Sequence, residues 1–154
     1  MTFTHTHAWS IAASTERVFR ALTDAGELRR WFAEGATVEP RVGGVYRFWG
    51  RHTPGTPPED AARQTITAFD LPNRVAYNWP LNEVDTSVTL LLVPDGDGTR
   101  LMLTHIVNGD LHLPRQRELI ADHWQSAIAN LSAHLTGAQP VVMPDYFDRT
   151  PKSG

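Results

Sequence analysis

The 154-residue sequence contains no cysteine. Disulfides, thiolate metal sites and thiol nucleophiles are therefore excluded. No apolar run approaches the roughly 20 residues that a membrane helix needs, so no membrane insertion is expected. The formal net charge is -3 and the basic residues are scattered. That removes the basic footprint of a nucleic-acid binder and the polybasic run of a membrane-surface protein. The first residues, Met1 to His5, lack the basic-then-apolar pattern of a secretion signal. A cytoplasmic location is the expectation. Three nucleotide and nucleophile patterns are also missing: Gly-x-Gly-x-x-Gly, a Gly-Lys-Ser/Thr loop and Gly-x-Ser-x-Gly. There is no internal repeat.

What is present is enough apolar material for one core, 41% of residues. Phe3, His5, His7, Trp9 and Ile11 alternate with small or polar residues, the period of a strand. Ser14 is placed to cap a short helix whose buried side is Val18, Phe19 and Leu22. Asp24 caps a second one, with Glu27 in the capping-box position and Leu28, Trp31 and Phe32 as its apolar stripe. Gly35 is expected to end it. A meander of strands follows, over Thr37 to Glu39, Val45 to Arg51, Gln64 to Leu71, Arg74 to Trp79, Thr86 to Val93 and Thr99 to Val107. Gly43-Gly44, Pro72-Asn73 and Pro94 to Gly98 are turns between them, and Thr53 to Pro58 is a loop. A long amphipathic helix is expected to begin near Pro114 and to bury Ile120, Trp124, Ala127, Ile128, Leu131 and Leu135, with Gly137 at its end.

Several motifs recur in a particular order. Ser14 to Asp24 is followed by Leu28 and Trp31-Phe32, then Pro40-Arg41-Val42-Gly43-Gly44-Val45-Tyr46-Arg47-Phe48. Leu71-Pro72-Asn73-Arg74-Val75 leads to Trp79, and Gly98 to His105 precedes the helix with Trp124 and Leu131. In this order and spacing the chain resembles the activator-of-Hsp90-ATPase-homologue-like branch of the START/Bet v 1 superfamily, over roughly residues 5 to 136. The resemblance implies an α+β helix-grip fold. Its curved antiparallel sheet wraps a long C-terminal helix, and two short helices follow the first strand. The division expected is a domain over 1–136 and a proline-rich extension over 137–154.

The resemblance also implies a ligand cavity between sheet and helix. The inward positions read from the sequence, His7, Trp9, Tyr46, Phe48, Trp79, His105 and Trp124, carry rings with apolar area, most of them with a hydrogen-bonding handle. The leading expectation is binding of a small hydrophobic or aromatic molecule there. Filling of the core by the same rings is the plainer reading. One alternative is a cofactor-independent enzyme of the cyclase or aromatase type, with His105 as acid/base and Tyr46 as an oxyanion donor. Another is a module linked to Hsp90, for which only the family name speaks.

Other residues carry less. His5-x-His7 could begin a metal site, but no third ligand is marked by spacing, so neither metal nor cofactor is expected. Asp110, His112, Glu118, Asp122 and His123 read as a solvated face, with His123 and Trp124 unable both to point fully inward. Arg41 and Arg74 flank turns and read as structural forks. The tail residues Val141, Val142, Met143, Tyr146 and Phe147 are too apolar to stay uncovered, so they are expected at the cavity mouth or in a homodimer interface.

Overall fold

The computed structural model describes residues 2–49, 64–81 and 83–141. The elements run β1 (Thr2–Ile11), α1 (Thr15–Thr23), α2 (Ala25–Trp31), β2 (Gly35–Val38), β3 (Tyr46–Trp49), β4 (Thr65–Asp70), β5 (Arg74–Asn78), β6 (Thr86–Asp95), β7 (Gly98–Asn108) and α3 (Gln116–Leu135). A curved antiparallel sheet has the order β1-β7-β6-β5-β4, and β2 pairs with β3. The two sheets are stitched together where Tyr46 N–H donates to Gln64 O (3.0 Å) and Ile66 N–H to Gly44 O (2.8 Å). The sheet and α3 form a helix grip, with α1 and α2 closing one side.

The short helices form where caps and apolar spacing agree. Ser14 Oγ accepts from the Arg17 N–H at 3.2 Å, and Asp24 Oδ1 accepts from the Glu27 N–H at 3.0 Å. Each satisfies a donor that the first helical turn leaves open. Val18, Phe19 and Leu22 are buried on α1, and Leu28 and Trp31 on α2. Each such large side chain contributes about 1.5–3 kcal/mol of burial.

Two local expectations are corrected. The Glu27 side chain does not turn back to a capping box but joins an ion cluster described below. Gly35 does not end α2, which stops at Trp31, with Phe32 N–H still bonded to Leu28 O. Gly35 opens β2 opposite Trp49, and a Cβ there would clash with the indole. Its requirement is close approach to a ring.

In the strands, period two decides what faces the helix. Tyr46 and Phe48 are buried while Arg47 and Trp49 are half-buried. Val75, Tyr77, Val88, Leu90, Leu101, Leu103 and His105 are buried in the larger sheet. β1 and β7 pair from Thr2↔Asn108 to Ile11↔Thr99, which sets His5 opposite His105.

α3 begins two residues later than proline placement indicates, after Arg115 in the left-handed region at φ 53°. Gly137, at φ +82°, ends it with its N–H on His134 O. Its buried arc is wide: Ile120, His123, Trp124, Ala127, Ile128, Asn130 and Leu131. His123 and Trp124 are therefore both buried, against expectation. The cause is that the sheet covers one flank of the helix and α2 another. Trp124 turns to β7, and His123 packs by Phe32 at 6.4 Å between ring centroids.

The tail begins on α3. Val141 N–H donates to Asn130 Oδ1 at 2.9 Å, and Asn130 Nδ2 donates back to Val141 O at 2.6 Å. The Val141 side chain is exposed, contrary to expectation; its backbone is what is held. Val142, Met143, Tyr146 and Phe147 lie outside the described residues, as does the Thr53 to Pro58 loop. No helix among the described residues is long and apolar enough to cross a membrane.

Candidate functional site

The sheet and α3 bring five of the seven sequence-selected residues together. Tyr46, Phe48, Trp79, His105 and Trp124 are all fully buried or nearly so. Phe48 meets Trp79 edge-on at 5.3 Å, and Trp79 stacks on His105 at 5.7 Å with 14° between planes. Trp124 meets both Trp79 and His105 edge-on, at 6.1 and 5.9 Å. These offset and edge-to-face geometries are the favoured ones for ring quadrupoles.

Both ring nitrogens of His105, the Trp124 indole N–H and the Tyr46 hydroxyl are committed to bonds in the core. Trp124 Nε1 donates to His105 Nδ1 at 2.9 Å. Nδ1 is then an acceptor, so His105 is the Nε2–H tautomer and donates to Thr86 Oγ1 at 3.0 Å. The Thr86 hydroxyl donates onward to the Trp79 carbonyl. Tyr46 donates its hydroxyl to Leu22 O. Burial lowers the His105 pKa to about 3, helped by the nearby charge of His5. Burial, with His105 next to it, likewise lowers His123 to about 3. Burial raises Tyr46. Both imidazoles are neutral near pH 7, and the phenol stays protonated.

His7 and Trp9 stand apart from the wall. They share the face of β1 that carries buried Phe3 and Ile11, yet His7 is exposed and Trp9 half-buried. This corrects the expectation that both point into the interior. β1 is an edge strand, and among the described elements α3 lies over this face and reaches it through Gln125. Trp9 Nε1 donates to Gln125 Oε1 at 3.1 Å, and Gln125 Nε2 donates to His7 Nε2 at 3.2 Å. The His7 and Trp9 rings lie 4.6 Å apart. At the other end of the strand, Arg117 sits over the Phe3 ring at 4.7 Å. Arg117 and Gln125 are eight residues apart on one ridge of α3, and the residue between them on that ridge is Ala121. Here His5 is half-buried and stacks on His7 at 6.4 Å; its Nε2 is buried and makes no hydrogen bond to any described residue. Burial and the His7 charge lower its pKa.

Sequence reasoning named His5 only as a metal ligand, and did not single out Gln125 or Thr86. The alternation of β1 marked the face, but nothing in the sequence showed which α3 side chain crosses to it. No group of three or more His, Asp or Glu suited to a metal occurs among the described residues. Asp110, His112 and Glu118 form an exposed rim with Arg115, in which His112 N–H donates to Asp110 Oδ1 at 2.8 Å and Arg115 pairs with Glu118. His123 lies away from them in the core. Arg41 pairs with Glu39 (3.3 Å) ahead of the Gly43-Gly44 turn, and Arg74 with Asp70 (2.7 Å) across the Pro72-Asn73 turn.

A concavity lies on the outer side of α1. It is a groove of about 670 Å³ lined by Glu16, Arg17, Phe19, Arg20, Thr23, Leu71 and Pro72. Beside it, Glu27 ties three helices together. Its Oε1 accepts from Arg17 Nη1 at 2.6 Å and lies 2.8 Å from His134 Nε2, and its Oε2 accepts from Arg20 Nε at 3.0 Å.

Residues 12–136 match the family model described as activator of Hsp90 ATPase homolog 1-like protein. No curated protein matches the chain. Among solved structures, a protein from Rhodobacter sphaeroides is 26% identical, with a TM-score of 0.64 over 87% of this chain and 92% of that one. CalU16 from Micromonospora echinospora is 23% identical, with a TM-score of 0.65 over 88% of this chain and 76% of CalU16. DynU16, from the dynemicin biosynthetic locus, is 16% identical, with a TM-score of 0.72 over 91% of this chain and 49% of DynU16. The last two likenesses are of fold.

Proposed function

The chain belongs to the activator of Hsp90 ATPase homolog 1-like family, and from that premise we propose that it binds a small hydrophobic or aromatic molecule between the sheet and α3, at the edge beside β1. The observation that carries this reading is the unbonded, buried Nε2 of His5 next to the partly open His7–Trp9 pair. A buried polar atom without a partner costs about 1–3 kcal/mol, so a hydroxyl brought by a ligand recovers that cost. The Trp9 indole and His7 imidazole offer a stacking surface for the ligand's ring. Tyr46, Phe48, Trp79, His105 and Trp124 form the packed wall behind it and supply its apolar area.

A catalytic role through His105 finds no support in its surroundings. Both ring nitrogens are bonded within the core, and the Tyr46 hydroxyl is bonded to Leu22 O. Neither can meet a substrate without breaking the wall.

The test is native mass spectrometry of freshly purified protein, followed by denaturation of the same sample. A discrete added mass that is lost on denaturation, and is absent from Trp9→Ala and His5→Phe preparations, is the expected result. A clean unliganded mass, together with no saturable binding in a screen of aromatic compounds, would overturn the reading.

A further inference from the structure

The groove between α1 and the Leu71–Pro72 turn is separate from the β1 edge, and its chemistry is different. We propose that it is a second binding site, for an amphipathic monocarboxylate whose apolar chain lies on Phe19, Leu71 and Pro72 and whose carboxylate meets the free fork of Arg20. Its volume of about 670 Å³ falls in the roughly 300–1,000 Å³ range of small-molecule pockets.

The floor is apolar and already fixed. Phe19 is buried and held edge-on by Phe69 at 5.3 Å between centroids. Leu71 lines the groove and is 73% exposed, so its apolar surface is available there. An alkyl chain in the groove would cover it.

The rim supplies the head-group contact. Arg20 spends only its Nε on Glu27, at 3.0 Å, and neither Nη bonds to any described residue. Its side chain is 64% exposed. The planar fork presents two parallel N–H donors, the match for a carboxylate. Because Glu27 holds the guanidinium at its Nε edge, less freedom is lost when the other edge binds. The charge balance narrows the class further. Arg17 and Arg20 are offset by Glu16 and Glu27, so the groove has no surplus positive charge for a phosphate or polyphosphate. One carboxylate is the smallest charge that can use the fork, and an apolar body suits the floor.

The experiment is titration with decanoate below its micelle concentration, followed by calorimetry and by backbone amide shifts. Saturable 1:1 binding with shifts on α1 and around Leu71 is expected. Arg20→Ala and Leu71→Ser should each weaken it by about tenfold or more, as loss of a charge-assisted pair or an apolar anchor does. Both side chains are exposed, so both variants should keep the wild-type circular dichroism. Trp9→Ala should bind decanoate as wild type does, which separates this site from the β1 edge. Absence of saturable binding would overturn the proposal. So would binding lost in Trp9→Ala and retained in Arg20→Ala and Leu71→Ser, or equal affinity for decylamine.

Discussion

Trp124 on α3 gives its indole N–H to Nδ1 of His105 on β7, 2.9 Å away, and thereby ties the central helix to the sheet and fixes the imidazole tautomer. The chain of donors continues through Thr86 to the Trp79 carbonyl. Each member is buried, so each is costly to orphan. Trp124→Phe keeps most of the ring but strands Nδ1. Urea unfolding should show a loss of about 1–3 kcal/mol. His105→Leu combined with Trp124→Phe should cost less than the two changes summed, since neither Nδ1 nor the indole N–H remains to be stranded by loss of the other. Additive losses would mean the bond carries no coupling.

The buried histidines also set the acid side of stability. His105 and His123 have pKa values lowered to about 3, against the usual value of 6.5. Above pH 6.5 folded and unfolded chains hold these imidazoles alike. Below it the unfolded chain takes up protons that the folded one refuses, so stability falls as the pH falls toward 3. Each group contributes roughly 1 kcal/mol per pH unit at full effect. His5, also lowered, adds in the same direction. Between pH 6.5 and 4.5 the urea midpoint should drop steadily, and His123→Leu should flatten that drop. An unchanged slope in the variant would show that His123 is protonated within the fold.

Glu27 works lower on the pH scale. Burial pushes its carboxyl up, but hydrogen bonds from His134 and Arg17 and the charges of Arg17 and Arg20 outweigh it, leaving the pKa lowered. Its contribution is present above the unfolded value near 4.5 and is lost as the pH falls through the folded one. Glu27→Gln should cost about 1–2 kcal/mol at pH 7, with little from the exposed Arg20 contact. In the variant, hydrogen exchange should quicken at the ends of α1 and α2 and near His134. A uniform change across the protein would argue against a local tie.

Much of this was legible in the sequence where one residue decides one thing. Ser14 and Asp24 cap as their chemistry requires, and alternation placed Tyr46, Phe48, Leu101, Leu103 and His105 on the helix side. What was not legible depends on partners distant in the chain. Glu27 reads as a capping-box residue until α1 and α3 deliver Arg17, Arg20 and His134. Gly35 reads as a helix stop until Trp49 lies across it. His7 and Trp9 share the alternation of buried Phe3 and Ile11, but exposure on an edge strand depends on α3, whose ridge is small at Ala121. His123 beside Trp124 looked excluded from the core because a single buried stripe was assumed, whereas α3 is covered on two flanks.

The tail offers a last and sharply local test. Asn130 is buried on α3, and its amide makes paired bonds with the N–H and C=O of Val141, imitating a strand partner. Asn130→Ala leaves both backbone groups of Val141 without that partner. Because Val141 is exposed, water can replace the bonds there, and the loss should stay near the low end of roughly 0.5–1.5 kcal/mol per bond. Amide exchange at Val141 should nevertheless rise markedly, since its protection comes from Asn130 Oδ1. Asn130→Asp keeps an acceptor for the N–H but no donor for the C=O. It should preserve part of the protection, while a buried carboxylate beside a carbonyl lowers stability further than alanine does. Slow exchange at Val141 in the alanine variant would show that the tail is held by other contacts.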